Sequence, residues 1–331
     1  HILRIDMHAP DILVREVKDP NTRGIFRSLN EVYPIGASKP NSRYMGEVLR
    51  VSNLHEVVEL QKSRDVRFFN QDQIRKLELP GNMAVVKPSP YTHNIVGYWE
   101  RPDADVRVYA LGWSSIRDDV NAAYLEAKET QAKLGIDRLL LPIDHLATRV
   151  YSQNREAAIL EYLTLTSYYY WGSYDIASQN SSTNVTKSVH FPNELQSPAK
   201  VFTAANHPYF VNHLLKLPSP TEQFVRNYGP RLHHLAVAVA DGDTLGKANI
   251  DYVVDTLRGC GKDFLLDVIG SREEGLKQIF SSASEYSSLI VEYVQRFGDF
   301  QGFFTKENVA ELTHAAGVEE QLQELEAEAL R

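Results

Sequence analysis

The sequence predicts an α+β protein made of repeated modules, and three observations support this. From about residue 44 onward, strand-like and helix-like segments alternate in four units, each tens of residues long. Histidines recur at corresponding places near the starts of the third and fourth units, His145 in IDHLATRV and His234 in LHHLAVAV. No G-x-G-x-x-G or Walker-type loop is present, which argues against a nucleotide-binding parallel sheet.

Taken in order, the leader up to about Arg43 is polar and reads as a loop. YMGEVLRVSNLHEVVELQKSRDVRFF (residues 44–69) reads as a strand followed by an amphipathic helix, and MAVVKPSP and HNIVGYWE read as strands. VRVYALG follows as a strand. IRDDVNAAYLEAKETQAKL then reads as a long helix with acids and bases about four residues apart. In the third unit, IDHLATRV is a strand, REAAILEYLTLTSYYYWG a helix running into an aromatic stretch, and TNVTKSVHF a strand. In the fourth, LHHLAVAV is a strand, IDYVVDTLRGCG a helix closed by glycine, and DFLLDVIG, GLKQIFSSA and SLIVEYVQRF are strands. A last, acidic helix begins near Lys306, with a break expected at Gly317.

At 331 residues, 43% of them hydrophobic, the chain has material for two domains and a large core. Its net charge of -8 weighs against a nucleic-acid or anionic-membrane partner, both of which need concentrated Lys and Arg, and points to small molecules instead. The one cysteine, Cys260, excludes an intrachain disulfide and any Cys-rich metal cluster; it follows a helical pattern and is expected to pack. No apolar run approaches about 18 residues and the start has no apolar signal core, so a cytoplasmic location is expected.

The segment LIVEYVQRF poses a chemical question. Alternation puts Glu292 on the same strand face as Ile290 and Val294, where an unpaired carboxylate costs several kcal/mol on an order-of-magnitude scale. Such an acid is paired, protonated or bound to a metal. His145 shares a face with Ala147, and His234 with Ala236 and Ala238, so small residues leave room beside each imidazole. Two imidazoles and one carboxylate suit a facial triad for Fe(II), with three cis positions left open. The separations, 234 − 145 = 89 and 292 − 234 = 58, match no local metal motif, and each histidine taken singly also fits a core or surface position.

Five ordered segments add a resemblance: IDHLATRV, TNVTKSVHFPNE, TEQFVRNYGPRLHHLAVAV, EEGLKQIFSSAS and VEYVQRFGDFQGFFTKENVAEL. Covering most of residues 142–313, they resemble the 4-hydroxyphenylpyruvate dioxygenases, two-domain members of the vicinal oxygen chelate (glyoxalase/bleomycin resistance/dioxygenase) superfamily. The resemblance implies paired βαβββ modules forming two domains with open, cup-shaped mixed sheets: a structural domain of two degenerate modules at 1–139 and a metal-binding catalytic domain at 140–331. It places iron ligands on His145, His234 and Glu292, and substrate contacts on Thr183, Asn193, His233, Gln278, Phe280, Phe303 and Asn308. Fe(II) is the implied cofactor, with Mn, Co, Ni or Zn as alternatives in the isolated protein. The implied partners are a small-molecule substrate, dioxygen and further copies of the chain.

Departures from the family pattern bear on the substrate. His233 stands where glutamine is common, Pro220 where another pocket glutamine is expected, and Val309 where an aromatic residue covers the substrate. The chain is also shorter between His234 and Gln278. The implied activity is a non-haem Fe(II) dioxygenase acting on an aromatic or related 2-oxo acid, with the helix from Lys306 as a lid. Two alternatives share the residues: another metal-dependent enzyme of the superfamily (an extradiol dioxygenase, lyase or isomerase), and a non-catalytic small-molecule binder.

Overall fold

The computed structural model describes residues 2–3, 12–13, 17–77, 79, 82–100, 118–190, 198–208, 210–212 and 217–329. Near the N-terminus β1 (Ile2–Leu3) pairs with β2 (Ile12–Leu13), and α1 (Pro20–Glu31) follows. The Asp19 carboxylate accepts from the Thr22 N–H at 2.8 Å, and Pro20 sits where its missing N–H costs nothing. This corrects the reading of the leader as a loop; D-P-N-T is a helix-start signal in a polar setting.

The first module comprises β3 (Gly46–Arg50), α2 (Leu54–Lys62), α3 (Gln71–Lys76), β4 (Met83–Val85) and β5 (Ile95–Trp99). Its strand order is β3-β5-β4 with β3 and β5 parallel, and Phe68 adds a single antiparallel bridge to Val86. The strand read at 106–112 lies outside the described residues. α4 (Asp118–Leu134) matches the long helix expected after it.

Two complete modules build one eight-stranded sheet. The first contains β6 (Leu140–Arg149), α5 (Arg155–Leu165), β7 (Tyr168–Ile176), β8 (Ser181–Ser188) and β9 (Ala199–Ala204). After the short pair β10 (Phe210–Asn212) and β11 (Leu217–Pro218), α6 (Pro220–Tyr228) leads into the second module. This has β12 (Arg231–Val239), the hairpin β13 (Asp243–Thr244) and β14 (Lys247–Ala248), α7 (Asn249–Gly259), β15 (Ile269–Ser271), β16 (Leu276–Phe280) and β17 (Ile290–Arg296). The order β15-β16-β17-β12-β6-β9-β8-β7 gives each module the same arrangement: its first strand lies parallel to its last, and the two modules meet at the antiparallel β6–β12 pair. Of DFLLDVIG only the end is strand; Phe264 contributes one bridge to Ser281. The aromatic stretch after α5 forms β7, as its β-propensity favours.

Helices cover the outer face: Ile250, Val253 and Val254 of α7 pack on Val239, Ile279 and Tyr293, and Ala158, Ile159 and Tyr162 of α5 pack on Phe202 and Ala204. On the inner face Ala147, Val185, Val201, Ala236, Leu276 and Val294 form one cluster with Phe303, Phe304 and Val309. Strands from both halves reach the same cluster, so the sheet curls into a cup, with α8 (Lys306–Ala329) across its mouth.

Two expectations fail in physical detail. α8 runs unbroken through Gly317, where a Cβ would stand only 2.9 Å from the Cβ of Pro220 on α6. Glycine marks a close helix crossing rather than a stop. Cys260 is exposed and caps α7 instead of packing. Among the described residues no helix is long and apolar enough to cross a membrane.

The crossing predicts an inverted substitution effect. Gly→Ala inside a helix normally stabilises by about 1 kcal/mol. Gly317→Ala is instead expected to destabilise by about 1–3 kcal/mol through overpacking against Pro220, read from urea unfolding midpoints. A gain in stability would show that α6 and α8 lie farther apart.

Candidate metal centre

Two strand registers assemble the site. Ala236 of β12 stands opposite His145 of β6 on one side and opposite Glu292 of β17 on the other. Its methyl group leaves both neighbours room to lean together, and His234, two residues earlier, shares the face. His145 Nε2 lies 2.9 Å from Glu292 Oε2 and 3.2 Å from His234 Nε2, and His234 Nε2 lies 3.3 Å from Glu292 Oε2. Among the described residues this is the one His, Cys, Asp and Glu group close enough to hold an ion. Ligand bonds of about 2.1 Å at right angles put donor atoms about 3 Å apart, so the donor set fits one face of an octahedron.

Each histidine is oriented by a strand bulge. On β6 the register slips at Asp144, turning its carboxylate onto His145 Nδ1 at 2.7 Å. On β12 it slips at His233, bringing His233 Nδ1 to 2.8 Å from His234 Nδ1. A proton on Nδ1 of His145, donated to Asp144, leaves its Nε2 lone pair facing the other donors. Asp144 forms a buried ion pair with Arg296, which also donates to the Phe303 carbonyl at 3.0 Å. The carboxylate is held too: Gln278 Nε2 donates to Glu292 Oε1 at 2.6 Å, and Asn308 Nδ2 donates to Gln278 Oε1 at 3.1 Å.

Burial pulls His145 down, but Glu292 and Asp144 outweigh it and push it up to about 9. His234 goes the other way, held well below its ordinary value by burial and by the neighbouring His145 and Arg149. Burial raises Asp144, yet Arg296 and His145 prevail and keep it well below the usual carboxylate range. Glu320 of α8, paired with Arg149, is pushed by burial up to about 7.

Above these groups lies a cavity of about 40 Å³, room for about three waters. Thr183, Thr203, Thr221, Phe280, Val309 and Leu312 are among its walls. The Phe280 ring centroid is 4.8 Å from that of His234, and Phe303 and Phe304 stand edge-on to His145 at 5.6 and 5.1 Å. Of the residues read as substrate contacts, Thr183, Phe280, Gln278 and His233 line the cavity, Gln278 and Asn308 are engaged toward Glu292, and Asn193 lies outside the described residues. Pro220, at the start of α6, abuts Gly317. Sequence reasoning missed Asp144, Arg296 and Glu320; an acid directly before His145 and an arginine in the Glu292 strand were signals for the first two.

No protein-family profile and no curated protein sequence matches the chain. Among solved structures it is similar to a mutant of 4-hydroxymandelate synthase from Streptomyces coelicolor, with 15% identity, a TM-score of 0.55, and 84% of this chain and 77% of that chain covered. A methylmalonyl-CoA epimerase from Streptomyces coelicolor matches over 47% of this chain and 98% of its own, with 15% identity and a TM-score of 0.36. Together with the two βαβββ modules joined in one cup, the first of these shows the vicinal oxygen chelate fold.

Glu292 and Asp144 push His145 up to about 9, so an ion binding at Nε2 would displace the second imidazolium proton there. Divalent-metal affinity should therefore rise with pH, roughly tenfold per unit between about 7 and 9, in Co(II) titrations at several pH values. Asp144→Asn should lower affinity about 10–100-fold at fixed pH. A flat profile, or an Asp144→Asn protein that binds as tightly as the parent, would refute this account of His145.

Proposed function

We propose that the protein is a non-haem Fe(II)-dependent dioxygenase that acts on an aromatic or related 2-oxo acid, with decarboxylation and oxygen insertion. The observation that carries this reading is the buried facial set of His145, His234 and Glu292 beneath a covered, largely apolar cavity. His145, His234 and Glu292 would hold Fe(II), which would supply Lewis-acid and dioxygen-activating chemistry at this site.

The remaining work falls to the chain itself. Asp144 and Gln278 keep His145 and Glu292 in their ligating orientations. Phe280, Phe304, Val309 and Leu312 exclude water and pack on the substrate body, while the hydroxyls of Thr183, Thr203 and Thr221 orient its polar groups. Gln278, Asn308 and His233 act on the substrate through the ligands they hold. The cavity of about 40 Å³ lies under α8, which would act as a lid that admits the substrate. The 15% identity to a 4-hydroxymandelate synthase supports the scaffold, and the donor set supports the chemistry.

Oxygen uptake by the Fe(II)-loaded protein, measured with a panel of aromatic 2-oxo acids and catechols, tests the reading. Carbon dioxide release coupled to uptake from a 2-oxo acid is the expected result. Catechol cleavage would identify an extradiol enzyme, and tight binding without turnover a carrier. His234→Ala should abolish metal retention and uptake together. Cleavage by added protease near residues 303–309 should fall when metal and a 2-oxo acid are bound; unchanged cleavage would refute the lid.

A further inference from the structure

We propose that Glu320, on the C-terminal helix, is a positioning residue for the metal centre: through His233 it fixes which nitrogen of His234 is free to bind the ion. The inference rests on the metal-centre reading above. His233 Nδ1 meets His234 Nδ1 at 2.8 Å, and the far nitrogen of His233, Nε2, lies 3.5 Å from Glu320 Oε1. His233 Nε2 and Glu320 Oε2 are buried and neither has a hydrogen-bond partner, so the carboxylate is the acceptor within reach of a proton on His233 Nε2, while Glu320 Oε1 is bound by Arg149.

Two neutral imidazoles in a row have two proton arrangements. In one, His234 donates its Nδ1–H to His233 Nδ1, His233 carries its proton on Nε2 toward Glu320, and the His234 Nε2 lone pair faces His145 and Glu292. In the other, His233 donates from Nδ1, so the His234 proton sits on Nε2, where an ion would bind. A carboxylate accepts and does not donate, so Glu320 selects the first arrangement.

The paired module shows the same task done more directly. There the bulge residue is itself an acid, Asp144, bound to His145 Nδ1. On β12 the bulge residue is His233, and the acid is moved one step outward onto α8. Metal affinity then depends on α8 being seated at Glu320, and by linkage the bound metal helps to seat α8.

A double-mutant cycle on the full chain at pH 8 tests this, with Co(II) dissociation constants read from the visible absorbance of the bound ion. Glu320→Ala should weaken Co(II) binding about 10–100-fold. His233→Gln should still bind Co(II), because the amide oxygen accepts the His234 proton without help from Glu320. Adding Glu320→Ala to His233→Gln should then change affinity by less than about twofold. If Arg149, left unpaired, unfolds the Glu320→Ala protein, the paired replacement Arg149→Met with Glu320→Leu removes both charges and should give the same loss and the same suppression. Equal losses in both His233 backgrounds would mean that Glu320 only holds the helix, and no loss in either would mean that it has no part; each overturns the proposal while leaving the metal centre intact. A parent protein that does not bind Co(II) would overturn the metal-centre reading as well.

Discussion

Every chemical feature of the site depends on the register around Ala236. One small residue separates the strands of His145 and Glu292, and the antiparallel β6–β12 pair and the parallel β12–β17 pair both converge on it. A slip of one residue in either ladder would turn a ligand to the outer face, because strand side chains alternate with period two. The outer face is filled by α5 and α7, so such a slip would also bury a polar group against Ile250 or Phe202. The packing of the sheet therefore enforces the geometry of the site.

Bulges then supply what strict alternation cannot. Asp144 and His233 are neighbours of ligands and should face away from them, yet the extra residue in each strand turns them inward. Beyond them, all three candidate ligands are backed by the segment after β17: His145 through Asp144 and Arg296 to the Phe303 carbonyl, Glu292 through Gln278 to Asn308, and His234 through His233 toward Glu320. The segment that covers the cup therefore also orders the three candidate ligands.

Much of this was legible in the amino-acid order. Alternation put Glu292 among aliphatic residues and each histidine beside alanines, and segment order gave the repeated modules. What was not legible followed from particular residues. The cap at Asp19 was hidden by a polar leader, Gly317 reads as a break until Pro220 is placed beside it, and a bulge has no signature in a run such as LHHLAVAV. Nor does spacing show that Gln278 is engaged by Glu292, a neighbour on the adjacent strand.

The contact between Gly317 and Pro220 also limits how the cup can open. For the lid proposed above, this close crossing favours rocking of α8 about that point over sliding along its axis. Asn308 lies nine residues from the pivot and Glu320 three, lever arms of roughly 13 and 5 Å. A tilt of about ten degrees carries the long arm roughly 2 Å, enough to part Asn308 from Gln278, and the short arm less than about 1 Å. Such a tilt would part Asn308 from Gln278 first and leave Glu320 beside His233.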